Sequence, residues 1–184
     1  LAGAGAAAVF VVVYISFMGY AGDRVTAWLH PELDPGDTGY QILQSLYAIG
    51  SGGLFGLGYG KSRQKYLYLP FQYNDYIFAV ICEELGLVGA MAIVILFAVT
   101  ILRGYWIALN ARDRFSTVLA AGLVTLIAVQ TILNLCVVTN LLPSTGIALP
   151  FFSYGGTALA VNLGEMGIVL GVSRGRNRRK IQEA

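Results

Sequence analysis

The sequence predicts an all-α protein, a polytopic bundle of about four membrane-spanning helices with a long outer loop. Hydrophobic residues make up 57% of the 184 residues and charged residues only 12%, whereas a soluble domain carries about a quarter charged residues. Four apolar segments approach the ~20 residues that cross a bilayer. The cationic residues gather in clusters outside these segments, and the net charge of +2 is too small to indicate a nucleic-acid partner.

The four predicted spans differ in length and in their flanks. They are Leu1–Tyr20, Tyr76–Leu102, Phe115–Leu141 and Gly155–Val172. The last is short and would need part of the preceding loop to cross the membrane. The first opens in the middle of an apolar run, so we expect residues 1–184 to be one integral-membrane domain that forms the C-terminal part of a larger protein.

Basic residues orient the predicted spans. Short loops rich in Lys and Arg stay in the cytoplasm. The connection Arg103–Arg114 and the tail Ser173–Ala184 are both short and basic. They are therefore predicted to be cytoplasmic, which places residues 21–75 and the loop 142–154 on the outer face.

The long outer loop is predicted to contain a helix at Tyr40–Ile49. Its polar residues recur at helical spacing, Asp37 or Thr38 is available as a cap, and a glycine-rich run follows it. The polar side is formed by Gln41, Gln44 and Ser45. This pattern is typical of a helix that lies at the membrane surface.

Three acids mark the entrance to the second span. Asp75, Glu83 and Glu84 are the last acidic residues before a long apolar run, and such acids are costly unless they pair, stay hydrated or do chemistry. Counted at 3.6 residues per turn, Glu83 falls on the side of Asp75 and Glu84 on the opposite side. We therefore expect Asp75 and Glu83 to share a cavity and Glu84 to face a neighbouring helix. The simpler alternative is that Asn74 or Asp75 only caps the helix.

A basic, glycine-rich stretch precedes these acids. Lys61, Arg63 and Lys65 alternate directly after three glycines, an arrangement suited to a phosphate or diphosphate group. The alternative is a solvated loop attracted to anionic lipid headgroups. Cys and His are not spaced as metal ligands, so no metal site is predicted.

Polar residues also recur in the last two spans. Gln130 and Asn134 lie one turn apart, as do Asn162 and Glu165. Hydrogen bonds between helices are the expected role of the first pair. A carboxyl group at the depth of Glu165 would be expensive without a partner.

Three stretches together resemble one known family. They are 39–56 in the outer loop, 69–86 at the junction with the second span, and 142–156 in the last outer loop. Their sequence and order are similar to those of the SEDS proteins (shape, elongation, division and sporulation). Tyr73 and Asn74 depart from the His-Thr pair that often precedes the family's aspartate, and Phe71 stands where a Glu is usual.

The resemblance implies the last four spans of a ten-span bacterial inner-membrane glycosyltransferase that polymerises lipid II on the outer face during division or sporulation. The family's essential aspartate corresponds to Asp75, the implied catalytic base. The residues expected to bind substrate are Lys61, Arg63, Lys65, Gln41, Ser45, Glu83, Ser153 and Tyr154. No cofactor is certain, with Mg²⁺ or Mn²⁺ left open. The implied partners are lipid II, the undecaprenyl-diphosphate-linked glycan, the bilayer and a class B penicillin-binding protein that acts as transpeptidase.

Two other functions stay open. The polar stripes with Glu165 would suit a lipid II flippase. A non-catalytic activator of a partner transpeptidase would not need Asp75 at all.

Overall fold

The computed structural model describes residues 11, 14, 19–33, 38–62 and 74–182, and every regular element in these ranges is a helix. The helices are α1 (Gly19–Leu29), a 3-10 helix (Pro31–Leu33), α2 (Thr38–Ser51), α3 (Ile77–Leu109), α4 (Arg114–Val138) and α5 (Gly156–Gln182). Three of them, α3, α4 and α5 as far as Gly175, are long and apolar enough to cross a membrane. The predicted fold class is confirmed. The predicted span Leu1–Tyr20 lies almost entirely outside the described residues.

The observed helices correct two predicted boundaries. α3 runs past Leu102, so Arg103 belongs to the helix, where its guanidinium carbon lies 4.7 Å from the centre of the Trp106 ring. α5 continues past Val172 to Gln182, although its membrane-compatible part reaches only Gly175. In both cases a helix extends from the apolar segment into basic sequence, because Arg and Lys are good helix formers.

Small residues let α3 and α4 approach closely near the connection between them. A Cβ atom added to Gly104 would lie 2.6 Å from Cγ2 of Val124, and Ala108 and Ala120 are buried in the same cluster. Backbones that pack on small residues are typical of helix pairs in membranes. Towards the other end, a second cluster includes Tyr76, Val138 and Leu149, which joins the start of α3 to the end of α4 and the loop after it.

Helix α3 is broken at Gly86. This residue has φ 67° and ψ −169°, which is not helical. The glycine-rich loop, residues 52–60, supplies the hydrogen bonds that the break removes. Leu57 N donates to Glu83 O over 2.9 Å and Gly58 N to Glu84 O over 3.0 Å. In the opposite direction, Leu87 N donates to Gly53 O over 2.9 Å and Val88 N to Leu54 O over 3.2 Å.

Glycine is required on both sides of this contact. A Cβ on Gly56 would lie 2.2 Å from Glu84 O, and one on Gly86 would lie 2.3 Å from Gly56 N. The break also separates the acids from the rest of the helix. Residues 87–109 are about 35 Å long as a helix and can cross the ~30 Å hydrocarbon core alone. A crossing therefore does not need the segment that carries Glu83 and Glu84.

The predicted helix in the outer loop is confirmed as α2, which begins at Thr38 and ends at Ser51. Its buried side includes Ile42, Ser45 and Ala48. It packs on α3 and α4 as well as α1, so it is part of the bundle's packing. Asp37 lies outside the described residues.

Candidate active site

Asp75 lies immediately before α3, in the turn 74–76. The helix begins at Ile77, and Tyr76 occupies the cap position without a side-chain cap hydrogen bond. The alternative in which Asn74 or Asp75 caps the helix is therefore wrong. Tyr76 is 2% exposed, and burying its ring against the core sets where the helix starts. The Asp75 carboxylate is not used for capping.

The backbone of this turn is fixed by Asn134. The Asn134 amide nitrogen, on α4, donates to Asp75 O over 2.7 Å and to Ile147 O over 2.8 Å. Asn134 is 1% exposed. The predicted interhelical hydrogen bond of Asn134 is thus a bridge from α4 to two loops, the junction turn and the last outer loop.

Ser153 makes a second connection between the same loops. Its hydroxyl donates to Asn74 O over 2.6 Å and accepts from Leu149 N over 2.7 Å. The loop 142–154 is therefore hydrogen bonded to Asn74 directly, whereas the bond to Asp75 O comes from Asn134 of α4. The predicted substrate ligand Ser153 has its hydroxyl engaged in holding the site together.

The last outer loop also borders the Asp75 side chain. A Cβ on Gly146, which has φ +70°, would lie 3.6 Å from Asp75 Oδ2. The Tyr76 hydroxyl donates to Ser144 Oγ over 3.5 Å. Burial raises the pKa of the Asp75 carboxyl, and the positive charge of Arg24 opposes this by lowering it. A carboxyl in this setting takes up a proton more readily than an ordinary aspartate does.

Arg24 is a site residue that no sequence pattern singled out. Its Nη1 atom donates to Ser144 O over 2.8 Å. Four residues later, Trp28 Nε1 donates to Asn140 O over 3.0 Å. One side of α1 is therefore bonded to the end of α4 and to the last outer loop, across more than a hundred residues of sequence.

Glu83 and Glu84 are arranged differently from the prediction. Glu83 is 1% exposed and accepts a short hydrogen bond from the Ser62 hydroxyl. Glu84, not Glu83, lines a cavity of about 370 Å³ between Tyr59 and Phe152. Neither Asp75 nor Glu83 lines that cavity, and the cavity that the two acids were expected to share stays a prediction. The glycine-rich loop, instead of a neighbouring helix, packs beside these acids.

The other predicted substrate residues fall into two groups. Ser45 is fully buried and donates to Val138 O over 2.9 Å, which makes it a packing residue of α2. Gln41 is partly exposed, whereas Lys61 and Tyr154 are exposed. Arg63 and Lys65 lie outside the described residues, so their role stays a prediction.

The described residues do not offer a metal cage. Within them, no group of three or more His, Cys, Asp or Glu side chains is placed to hold an ion. The oxygen atoms that could bind an ion near Asp75 are mainly those of backbone carbonyls and hydroxyls, and these already take part in hydrogen bonds. The divalent cation that the sequence left open stays a prediction.

Comparison with known proteins identifies the family. The family profile described as Cell cycle protein, which covers FtsW, RodA and SpoVE, matches residues 1–178. The chain belongs to this family. The resemblance drawn from the three loop and junction stretches is confirmed.

Curated family members are similar over most of this chain. Stage V sporulation protein E of Bacillus subtilis is 51% identical over 151 residues, which are 82% of this chain and 41% of that protein. A probable peptidoglycan glycosyltransferase FtsW of Trichlorobacter lovleyi is 45% identical over 166 residues, 90% of this chain and 44% of that protein. The chain therefore spans less than half the length of these relatives.

Solved structures of the family share the fold. One chain from a structural study of polymerization and crosslinking by a peptidoglycan synthase complex has a TM-score of 0.77 at 29% identity, covering 95% of this chain and 48% of that chain. A mutant of the Thermus thermophilus rod shape determining protein RodA has a TM-score of 0.57 at 32% identity, covering 72% of this chain and 40% of that chain.

Proposed function

We propose that this chain is the C-terminal part of a peptidoglycan glycosyltransferase that polymerises lipid II on the outer face of the bacterial cytoplasmic membrane, with Asp75 as catalytic base. The observation that carries the proposal is the position of Asp75, a partly buried carboxyl held where α1, α4 and the last outer loop meet. The names of the curated relatives, probable peptidoglycan glycosyltransferases, support the reaction class.

The reaction joins two lipid-linked glycans. The C4 hydroxyl oxygen of the acceptor forms a bond to the anomeric carbon of the donor, and the bond from that carbon to the diphosphate oxygen breaks. The hydroxyl proton passes to the Asp75 carboxylate, and undecaprenyl diphosphate leaves as an anion. A positioned base is typically worth about 10²–10⁴ in rate.

The remaining residues would bind and orient the substrates. Lys61 is exposed at the end of the glycine-rich loop, and its ammonium group would attract the diphosphate. Gln41 and Tyr154 offer polar groups at the surface. Three of the predicted substrate residues would act indirectly, by holding backbone and hydroxyl groups of the site in place. These are Glu83, Ser45 and Ser153. A class B penicillin-binding protein would crosslink the product, in keeping with the synthase complex that contains a relative.

The decisive experiment is polymerisation of purified lipid II by the full-length protein carrying Asp75→Asn. Because the amide cannot accept the proton, we expect turnover to fall about 10²–10⁴-fold with unchanged membrane insertion. Asp113→Asn is the matched control. Asp113 is an exposed cap at the start of α4, and Asn caps a helix as well as Asp does, so this variant should polymerise normally.

Other outcomes would assign a different function. Normal polymerisation by the Asp75→Asn variant would reject the base. Transfer of labelled lipid II across vesicles without any polymer from the wild-type protein would indicate a flippase. Polymer formed only by the added partner would indicate an activator.

A further inference from the structure

Arg24 connects α1 to the loop that borders Asp75. It is partly buried, and its Nη1 atom donates to Ser144 O over 2.8 Å. Ser144 in turn accepts from the hydroxyl of Tyr76, the residue after Asp75. Trp28, one helical turn along α1, makes a parallel bond to Asn140 O. The two side chains together attach α1 to both the start and the interior of this loop region.

The charge of Arg24 acts on Asp75 as well. The same guanidinium lowers the pKa of the Asp75 carboxyl against the raising effect of burial. Within the described ranges, the other titratable group that couples to Asp75 is Tyr76, and burial raises the pKa of its phenol further above its ordinary value, so the phenol is neutral near pH 7. The loop 142–154, the 130–138 end of α4 and helix α2 contain no Asp, Glu, Lys, Arg or His.

We propose that Arg24 is a positioning residue of this site: its guanidinium holds the last outer loop against Asp75 and brings a permanent positive charge towards the carboxylate that accepts the proton. The inference rests on the proposed function, because it assigns Arg24 a task only if Asp75 is the base. Arginine suits both tasks, holding the loop and supplying the charge. Its guanidinium is planar and permanently charged, and it donates from a rigid fork.

Two substitutions separate the hydrogen bond from the charge. Arg24→Gln keeps an NH₂ donor and removes the charge, whereas Arg24→Lys keeps the charge and loses the fork. Trp28→Phe is the structural control, because it removes the bond to Asn140 O without changing any charge. Arg112→Gln, exposed in the distant connection between α3 and α4, controls for net charge.

The measurement is lipid II turnover against pH at saturating substrate, with the full-length protein in vesicles. Turnover should fall at acid pH as the Asp75 carboxylate is protonated. In Arg24→Gln the midpoint of that fall should move to higher pH, because the neutral carboxyl is no longer disfavoured by a cation. In Arg24→Lys and Trp28→Phe the midpoint should stay in place while turnover at all pH values drops. Arg112→Gln should match the wild type.

Several results would overturn the inference. An unchanged midpoint in Arg24→Gln would remove the charge role, and a midpoint displaced equally in Trp28→Phe would assign the effect to loop packing. If Arg24→Gln fails to fold, a displaced midpoint in Arg24→Lys would contradict the inference by itself. Activity of Asp75→Asn reports on the proposed function separately. If that variant is inactive and the Arg24→Gln midpoint is unchanged, only the role of Arg24 fails.

Discussion

Asn134 shows how one buried amide can organise two loops. Its nitrogen bonds both Asp75 O and Ile147 O, and each bond runs to a main-chain carbonyl that is fixed by its own segment. A side chain with one donor could serve only one of the two carbonyls. The amide therefore sets the spacing between the junction turn and the loop 142–154.

Asn134→Asp should disrupt this arrangement with almost no change of shape. Replacing the amine by an oxygen puts a third acceptor against two carbonyls, and each buried group left unsatisfied costs roughly 1–3 kcal/mol. We expect a lower melting temperature in detergent and loss of most lipid II turnover. Asn110→Asp, at an exposed position at the end of α3, is the control. Equal melting temperatures for the two variants would contradict the bridging role.

At this scale the sequence predicted some site residues and could not predict others. Asp75 stood out because it is an acid at the entrance of an apolar helix. Arg24 did not, because its partner Ser144 is 120 residues away and no local pattern records a bond of that range. The alternative of a cap at Asn74 or Asp75 was wrong because Tyr76, whose ring is buried, occupies the cap position.

At the scale of elements, the main feature is the exchange of hydrogen bonds between the glycine-rich loop and the break in α3. The sequence predicted a glycine-rich run that ends the outer-loop helix and a second span without a break from Tyr76 to Leu102. Gly86 and Gly89 stand three residues apart in the same apolar context, so helical periodicity does not distinguish the broken position from the intact one. The position of the break is decided by residues 53–58, because their hydrogen bonds to the α3 backbone are made on either side of Gly86.

Gly86→Ala should destabilise the protein strongly. The φ of 67° is unfavourable for alanine, at about 1–3 kcal/mol, and the added Cβ would meet Gly56 N at 2.3 Å. Gly122→Ala on α4 is the matched control, since nothing lies within 4 Å of its Cβ position. We expect a clear fall in the detergent melting temperature for the first variant and none for the second. A melting temperature at or above wild type for Gly86→Ala would mean that the helix can close without the loop.

At the scale of the whole molecule, the distribution of charge sets the orientation. Arg112, Arg114 and the basic end of α5 lie at one end of the bundle, because α3 and α4 are antiparallel neighbours joined by the short connection 110–113. Asp75 and the loop 142–154 lie at the opposite end. From the positive-inside rule we expect Asp75 to lie on the outer face.

Reporter fusions should confirm this orientation. In the full-length protein, an alkaline phosphatase inserted after Ala111 should be inactive, and one inserted after Thr145 should be active, because the enzyme folds only outside the cytoplasm. Reversed activities would place Asp75 in the cytoplasm and remove the proposed access to exported lipid II. Replacing Arg112 and Arg114 by Gln should weaken the difference between the two fusions.

The contacts of the site differ in the number of residues that separate the two contacting groups along the sequence. The glycine-rich loop meets the α3 break across fewer than about 35 residues, whereas Arg24 reaches Ser144 across 120. Because the entropic cost of closing a loop rises with its length, the nearer contact is the cheaper to form. The bond between loop and break can be completed while α4 and α5 are still being synthesised. Asp75 would then be presented on a finished scaffold, and its last partners would arrive only when the end of the chain does.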